Sequence, residues 1–304
     1  MAGEFLRRGW HVRGIVRPGN TKPLPDGVEP RESALHASSL KGAIAGTDVL
    51  VHAAALIRSG NTDVLRAVNV EATRAVVDAV NETGARLVFI SSQAAIGAGT
   101  PERPAREDDP PRPLNAYGRT KAAAESAIRS DARVPWTILR PCSVYGPRDR
   151  QWLPLVRLAA RGRFLVAAPP AMPFTLVHVD DVARAIAIAA EDPRAIGEAF
   201  FIGHPRFYTA EAILQQIAKS VGRPYRPWRV PPIALEALAL AGEVAWRFGF
   251  TPIVDKSRLA ELSAPGFVCS VEHARDVLGF TAQTEFAEGM DRTVRWYREN
   301  GWLA

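Results

Sequence analysis

The sequence predicts an α/β protein: a doubly wound parallel sheet followed by a smaller mixed C-terminal lobe. Three observations carry this reading. Strand and helix signals alternate through the first two thirds of the 304 residues. The strands are short continuous apolar runs, as expected where both faces of a parallel sheet are covered. From about Arg148 the alternation loosens and prolines cluster, at Pro169, Pro170 and Pro173 and again at Pro224, Pro227, Pro231 and Pro232. The domains expected are thus 1–147 and 148–304, with 174–192 ("TLVHVDDVARAIAIAAED" and its flank) returning to the sheet.

In chain order, Phe5 and Leu6 belong to a helix that Gly9 stops, and "WHVRGIVR" is a strand built on Val12, Ile15 and Val16. A Pro/Gly-rich loop follows, from Pro18 to Pro30. "TDVLVHAAA" is a buried strand running into a loop, and "DVLRAVNVEATRAVVDAVNETG" is a long helix ending at Gly84. "ARLVFISS" is a strand, "YGRTKAAAESAIRS" an Ala-rich helix, and "WTILRPCSVYG" another buried strand. Short loops and right-handed crossovers join such units into a doubly wound sheet.

Bulk composition narrows the function class. The chain is 47% hydrophobic and 23% charged, ordinary for a globular protein, with a net charge of +6. Its arginines are scattered, with no basic block interleaved with aromatics, so no nucleic-acid partner is expected. Cys142 and Cys269 make neither a disulfide framework nor a metal spacing, which fits a reducing cytoplasm. Cys142 is read as core, and His178, Asp180 and Asp181 as structural hydrogen-bonders; no metal site is expected. The apolar stretch from Ile233 to Phe250 carries Glu236, Glu243 and Arg247 and is short for a membrane span. It reads as a packed helix, with contact at a membrane interface as the alternative.

The chemistry is concentrated in "NAYGRTKAAAE" and "VFISSQAAIG". Tyr117 and Lys121 are four apart and share a helix face. An ammonium beside a phenol favours the phenolate, so Lys121 is expected to lower the Tyr117 pKa and make it a proton donor or acceptor near neutrality. Ser92 stands at the C-terminal end of a buried strand, the rim where doubly wound sheets bind ligands. There it would hydrogen-bond a substrate oxygen and orient it toward Tyr117.

These segments, in this order, resemble the extended short-chain dehydrogenase/reductase family over nearly the whole chain, nearest the branch of 3β-hydroxysteroid dehydrogenase-like and dihydroflavonol reductase-like enzymes. "DVLVHAAA", "VNVEATRAVVDA", "RPCSVYGP", "LVHVDDVARA" and "ARDVLGF…EGMDRTVRWYRENGWL" each resemble a family segment. The resemblance implies a Rossmann-like fold in which Tyr117 is the acid/base, Lys121 binds the nicotinamide ribose and Ser92 polarises the substrate oxygen. It implies cofactor contacts from His52 (as a positional residue), Ala53, Ala54, Asn69 and Ser91, and from Pro141 and Val144 against the nicotinamide. It also implies a homodimer built on the helices near Asn69 and Tyr117.

Two departures refine the expectation. The family opens with a central strand and a Gly-rich turn that cradles pyrophosphate. This sequence shows neither, and Gly3 and Gly9 do not make the motif. The expectation is a chain that starts about 15–20 residues further upstream, the length of one strand and a tight turn. Without that strand, its two neighbours would carry unpaired backbone groups, each costing about 1–3 kcal/mol. Ala34 stands where the family often has an adenine-binding Asp. Arg17 closes the second strand of the family's pattern, with no acidic residue for a free ribose hydroxyl. This points to a 2′-phosphate and so to NADP over NAD.

The residues also select a branch. "AMPFTLVHVDDV" has no Arg for nucleotide-sugar phosphates, and Gln93 and Ala94 replace the acidic pair of a dehydratase. "PWRVPPIALEALALAGEVAW" offers an apolar lining. The function expected is hydride transfer to or from a secondary alcohol or ketone of a hydrophobic substrate. Arg148 and Arg150 keep a nucleotide-sugar epimerase as the alternative. A non-catalytic ligand-binding protein on the same fold is the alternative of another class.

Overall fold

Parallel strands buried on both faces form the middle of the molecule, in a computed structural model that describes residues 1–34, 36–252 and 254–303. The first half runs α1 (Ala2–Arg7), β1 (Val12–Val16), β2 (Val28–Glu32), α2 (Ala37–Ile44), β3 (Val49–His52), α3 (Thr62–Arg66), α4 (Ala72–Thr83), β4 (Arg86–Ile90), α5 (Ala116–Asp131) and β5 (Trp136–Pro141). Then come β6 (Ser143–Tyr145), α6 (Leu153–Ala160), β7 (Phe164–Val166), β8 (Pro173–His178), α7 (Val179–Glu191), β9 (Ala199–Ile202), β10 (Phe207–Thr209) and α8 (Ala210–Val221). The chain closes with β11 (Pro227–Arg229), α9 (Pro232–Arg247), α10 (Lys256–Leu262), α11 (Glu272–Leu278) and α12 (Phe286–Glu299).

The main sheet has the order β3-β4-β5-β9, all parallel. Leu87, Val88, Phe89, Ile138, Leu139, Phe200 and Phe201 are buried in it, which explains the unbroken apolar runs. Helices α4 and α5 cover one face through Val76, Val80, Ala124 and Ile128. Helix α7 covers the other through Val182, Ala185 and Ile186.

Strands β1 and β2 pair parallel to each other but not to the main sheet. Among the described residues β1 bonds only β2, and β3 bonds only β4. Each therefore presents one edge without a partner strand. Both sets still pack on common cores, Val12 with Val49 and Val51 on one side and Ile15 with Leu50 on the other.

Two elements differ from the simple reading of the sequence. The run "WTILRPCSVYG" is broken at Cys142: β5 stays in the main sheet, while β6 pairs with β8, and β8 pairs with β10. The long helix expected from Asp63 to Gly84 contains one wide π turn, Ala67–Glu71. At that turn Asn69 is buried, and the Thr73 hydroxyl donates to its carbonyl at 2.8 Å. In the region 174–192, α7 packs on the main sheet, whereas β8 belongs to the smaller β6-β8-β10 sheet.

Candidate active site

The C-terminal ends of the parallel strands gather the chemistry-bearing residues on one rim. Ser91 and Ser92 follow β4. The Ser92 hydroxyl caps a short 3-10 turn, Gln93–Ala95, by accepting from the Ala94 N–H at 3.2 Å. Asn115 caps α5, its Oδ1 accepting from the Gly118 N–H at 2.7 Å. Its Nδ2 donates to Glu261 on α10.

Gly118 decides how close these two pieces come. A Cβ at this position would lie 2.2 Å from the Ala94 carbonyl oxygen. Only a residue without a side chain lets the first turn of α5 rest on the Ser92 turn. In consequence the Ser92 hydroxyl stands close to the Tyr117 phenol.

Burial pushes the Tyr117 pKa up to about 12, with the nearby Ser92 hydroxyl pulling the other way. The expected lowering by Lys121 is not what the structure shows. The Lys121 ammonium donates to the Ile90 carbonyl at 2.7 Å and sits 4.5 Å from the Phe89 ring centroid. It is buried, and burial lowers its own pKa to about 8 against the opposing charge of Glu125. The ammonium is engaged by the strand beneath it, so desolvation governs the phenol.

One helical turn beyond Lys121, Glu125 forms a buried ion pair with Arg140 of β5, with contacts of 3.0 and 2.7 Å. Ser91 donates to the same carboxylate at 2.5 Å, and Arg140 also donates to the Glu107 carbonyl at 2.9 Å. The Ser91 hydroxyl is therefore committed to Glu125. Sequence reasoning missed Glu125 and Arg140. Two signals were present: Glu125 continues the Tyr117–Lys121 face, and an Arg in a buried strand demands a partner.

The remaining sequence-predicted residues divide into open and committed groups. Ala53 and Ala54 are exposed just past β3, and Arg17 is exposed just past β1. His52 is buried, shares a 3.0 Å hydrogen bond with the Thr73 hydroxyl, and is lowered to about 3 by burial and then by Lys121. Asn69 exchanges two 2.8 Å hydrogen bonds with the Leu56 backbone and donates to the Thr120 hydroxyl at 2.9 Å. It thus ties the loop after β3 to α5. Pro141 is buried at the end of β5, and Val144 packs half-buried in β6. Asp181 accepts from the Gln283 and Thr284 N–H groups and from Arg184, which commits its carboxylate to structure.

A dinucleotide fits this rim in part. The open backbone at Ala53–Ala54 admits a close ligand, and Lys121 and Tyr117 offer donors suited to ribose hydroxyls.

The profile of the NAD dependent epimerase/dehydratase family matches residues 1–203. The chain belongs to this family. It is similar to the ceramide reductase of Caulobacter vibrioides, 28% identical over 300 residues that cover 97% of this chain and 89% of that protein. It is 30% identical over 272 residues to the decarboxylating sterol-4-alpha-carboxylate 3-dehydrogenase of Saccharomyces cerevisiae, covering 83% and 77%. Among solved structures, that of gox2253 superposes with a TM-score of 0.82 at 25% identity, covering 100% of this chain and 95% of the other. MoeE5 in complex with UDP-glucuronic acid and NAD superposes at 0.76 with 26% identity, covering 98% and 94%. This epimerase/dehydratase-family chain is an NAD(P)-dependent enzyme of hydride transfer on a small-molecule substrate, on a Rossmann-type fold.

Proposed function

We propose that the enzyme reduces a ketone, or oxidises the matching secondary alcohol, on a hydrophobic lipid-like substrate, with NADP as the preferred cofactor. The observation that carries this reading is the apposition of the Ser92 hydroxyl and the Tyr117 phenol on the rim beyond β4. With a pKa near 12, Tyr117 holds its proton at neutral pH and is poised to donate it to a carbonyl oxygen. Ser92 orients that oxygen by hydrogen bonding. Lys121, at about 8, is charged at pH 7 and would hold the nicotinamide ribose. When bound, the cofactor supplies the hydride. The backbone of Ala53 and Ala54 and the ring of Pro141 would flank it, with Val144 close by. His52 and Asn69 hold that frame from behind.

Arg17, exposed and in no ion pair among the described residues, supports NADP through a 2′-phosphate. The hydrophobic substrate is supported by the stacked Phe174 and Phe267, centroids 5.8 Å apart, where an Arg for nucleotide phosphates is absent. Relatives named for ceramide and for a sterol point the same way. The epimerase reading rests on the likeness to MoeE5 and on exposed Arg148, which stands in the left-handed region at φ 70°. We further place the enzyme in the cytoplasm, as a homodimer paired through α4 and α5. No helix among the described residues is long and apolar enough to cross a membrane.

The test is a fluorescence titration with NADPH and NADH, followed by absorbance assays on apolar cyclic and long-chain ketones and on UDP-sugars. NADPH binding weakened toward the NADH level by Arg17→Ala, with turnover of an apolar ketone, supports the proposal. Turnover of UDP-sugars alone favours the epimerase. Equal binding of the two nucleotides in the parent and the variant removes the NADP assignment.

A further inference from the structure

Helix α9 is apolar on both faces, and only one is covered. Its inner face buries Leu235, Ala239 and Gly242. Gly242 lies so near the Val254 carbonyl that a Cβ would meet the oxygen at 2.1 Å, which locks α9 to the segment leading into α10. Trp246 packs over Gly60 and donates to Asp255 at 3.3 Å, and Asp255 also pairs with Arg58 at 2.6 Å. The reading of this stretch as a packed helix holds for that face alone.

The outer face carries Ile233, Ala237, Leu240, Ala241, Val244 and Phe248, a single stripe at helical spacing. Ile233 is 77% exposed, Leu240 59% and Phe248 73%. Trp228, exposed at 76%, precedes the helix, and Phe250, exposed at 69%, follows it. Contiguous apolar surface of this kind marks a contact site.

Charge at the two ends identifies the occupant. The ion pairs of this region join Arg58 to Asp255 and Arg258 to Glu261. Exposed Arg226 and Arg229 before the helix, and Arg247 and Lys256 after it, are left without one among the described residues. Of the acidic residues on the helix, Glu243 is turned to accept the Lys256 N–H at 3.1 Å, and Glu236 is exposed without an ion partner among the described residues. An antiparallel second copy would set the Arg226–Arg229 end against Arg247 and Lys256, and a parallel copy would set each end against itself. Both arrangements oppose like charges at the helix ends, where four cations outnumber the one exposed carboxylate of the helix. An anionic lipid surface instead matches every end, and an apolar stripe bounded by Arg and Trp is the composition of helices that lie in a bilayer interface.

We propose that α9 lies flat on a bilayer containing anionic lipid, with its apolar stripe inserted and Arg226, Arg229 and Arg247 at headgroup level. The anchor is next to the active site. The Trp246–Asp255–Arg58 contacts fix α9 on the loop after β3, and Glu261 of α10 holds Asn115, the cap of the Tyr117 helix. Bilayer docking therefore sets the catalytic rim beside the membrane. The proposal does not depend on the reaction assigned above, because its assay needs no turnover.

The experiment is co-sedimentation of the full chain with phosphatidylcholine vesicles, with and without phosphatidylserine, alongside sedimentation velocity of the free protein. The expected result is binding to the phosphatidylserine vesicles. Leu240→Asp/Val244→Asp, with unchanged circular dichroism, should weaken it by roughly tenfold or more. Arg226→Glu/Arg229→Glu should weaken it and flatten its salt dependence. Three outcomes overturn the proposal: no sedimentation with either vesicle, equal sedimentation of the Asp variant, or a dimer that the Asp variant splits into monomers. The last would assign the stripe to a second copy.

Discussion

Lys121→Met should make the protein more stable while removing its activity. The buried ammonium costs folding energy because the folded state lowers its pKa from 10.5 to about 8. At about 1.4 kcal/mol per pH unit, that difference is about 3 kcal/mol at neutral pH. Met fills a similar volume without charge but leaves the Ile90 carbonyl without its 2.7 Å donor, at a cost of about 1–2 kcal/mol. The net gain at pH 7 is about 1–2 kcal/mol. The sign of the pH dependence is the sharper test. Between about pH 8 and 10.5 the unfolded chain keeps the Lys121 proton and the folded chain releases it, so parent stability gains this contribution as pH rises. The variant lacks the gain. Raised phenols such as Tyr117 erode both proteins alike above pH 10, so the difference between the curves isolates Lys121. Urea unfolding from pH 7 to 10 measures it. Parallel curves, or a variant less stable at pH 7, would refute the desolvation argument.

Gly118→Ala drives a Cβ into the Ala94 carbonyl and should part α5 from the Ser92 turn. About 1–3 kcal/mol of stability should be lost, with turnover falling more than binding, as thermal melts and steady-state kinetics would read. Glu125→Ala strands Arg140 in the core and should cost about 3–5 kcal/mol, whereas Glu125→Leu/Arg140→Met should recover most of it in the same denaturation assay. His52 is held near 3, below its ordinary value, so the parent loses stability as pH falls from about 6.5 toward 3. His52→Gln should flatten that limb in unfolding curves at pH 4–6.5.

Much of the fold is legible in the sequence because burial on both faces leaves an unmistakable trace. The runs around Leu87–Phe89 and Ile138–Leu139 name the central strands directly. Other features depend on partners that spacing does not reveal. Nothing local marks Cys142 as the point where one apolar run divides between two sheets. The four-residue step from Tyr117 to Lys121 places both on one face, but the Ile90 carbonyl and the Phe89 ring decide where the ammonium goes. Serine 91 shows the same limit: its position suggested the cofactor, and Glu125 claimed its hydroxyl. The apolar α9 was visible as composition, while its two-sided character emerges only when one face is seen to be covered.

The central claim is that the Tyr117 phenol, oriented beside Ser92, moves the proton that accompanies hydride transfer. Single-turnover kinetics of Tyr117→Phe with saturating NADPH and an accepted ketone tests it most directly. The account predicts a rate lowered by about a hundredfold or more with cofactor affinity unchanged. A Phe variant that turns over at the parent rate would contradict it.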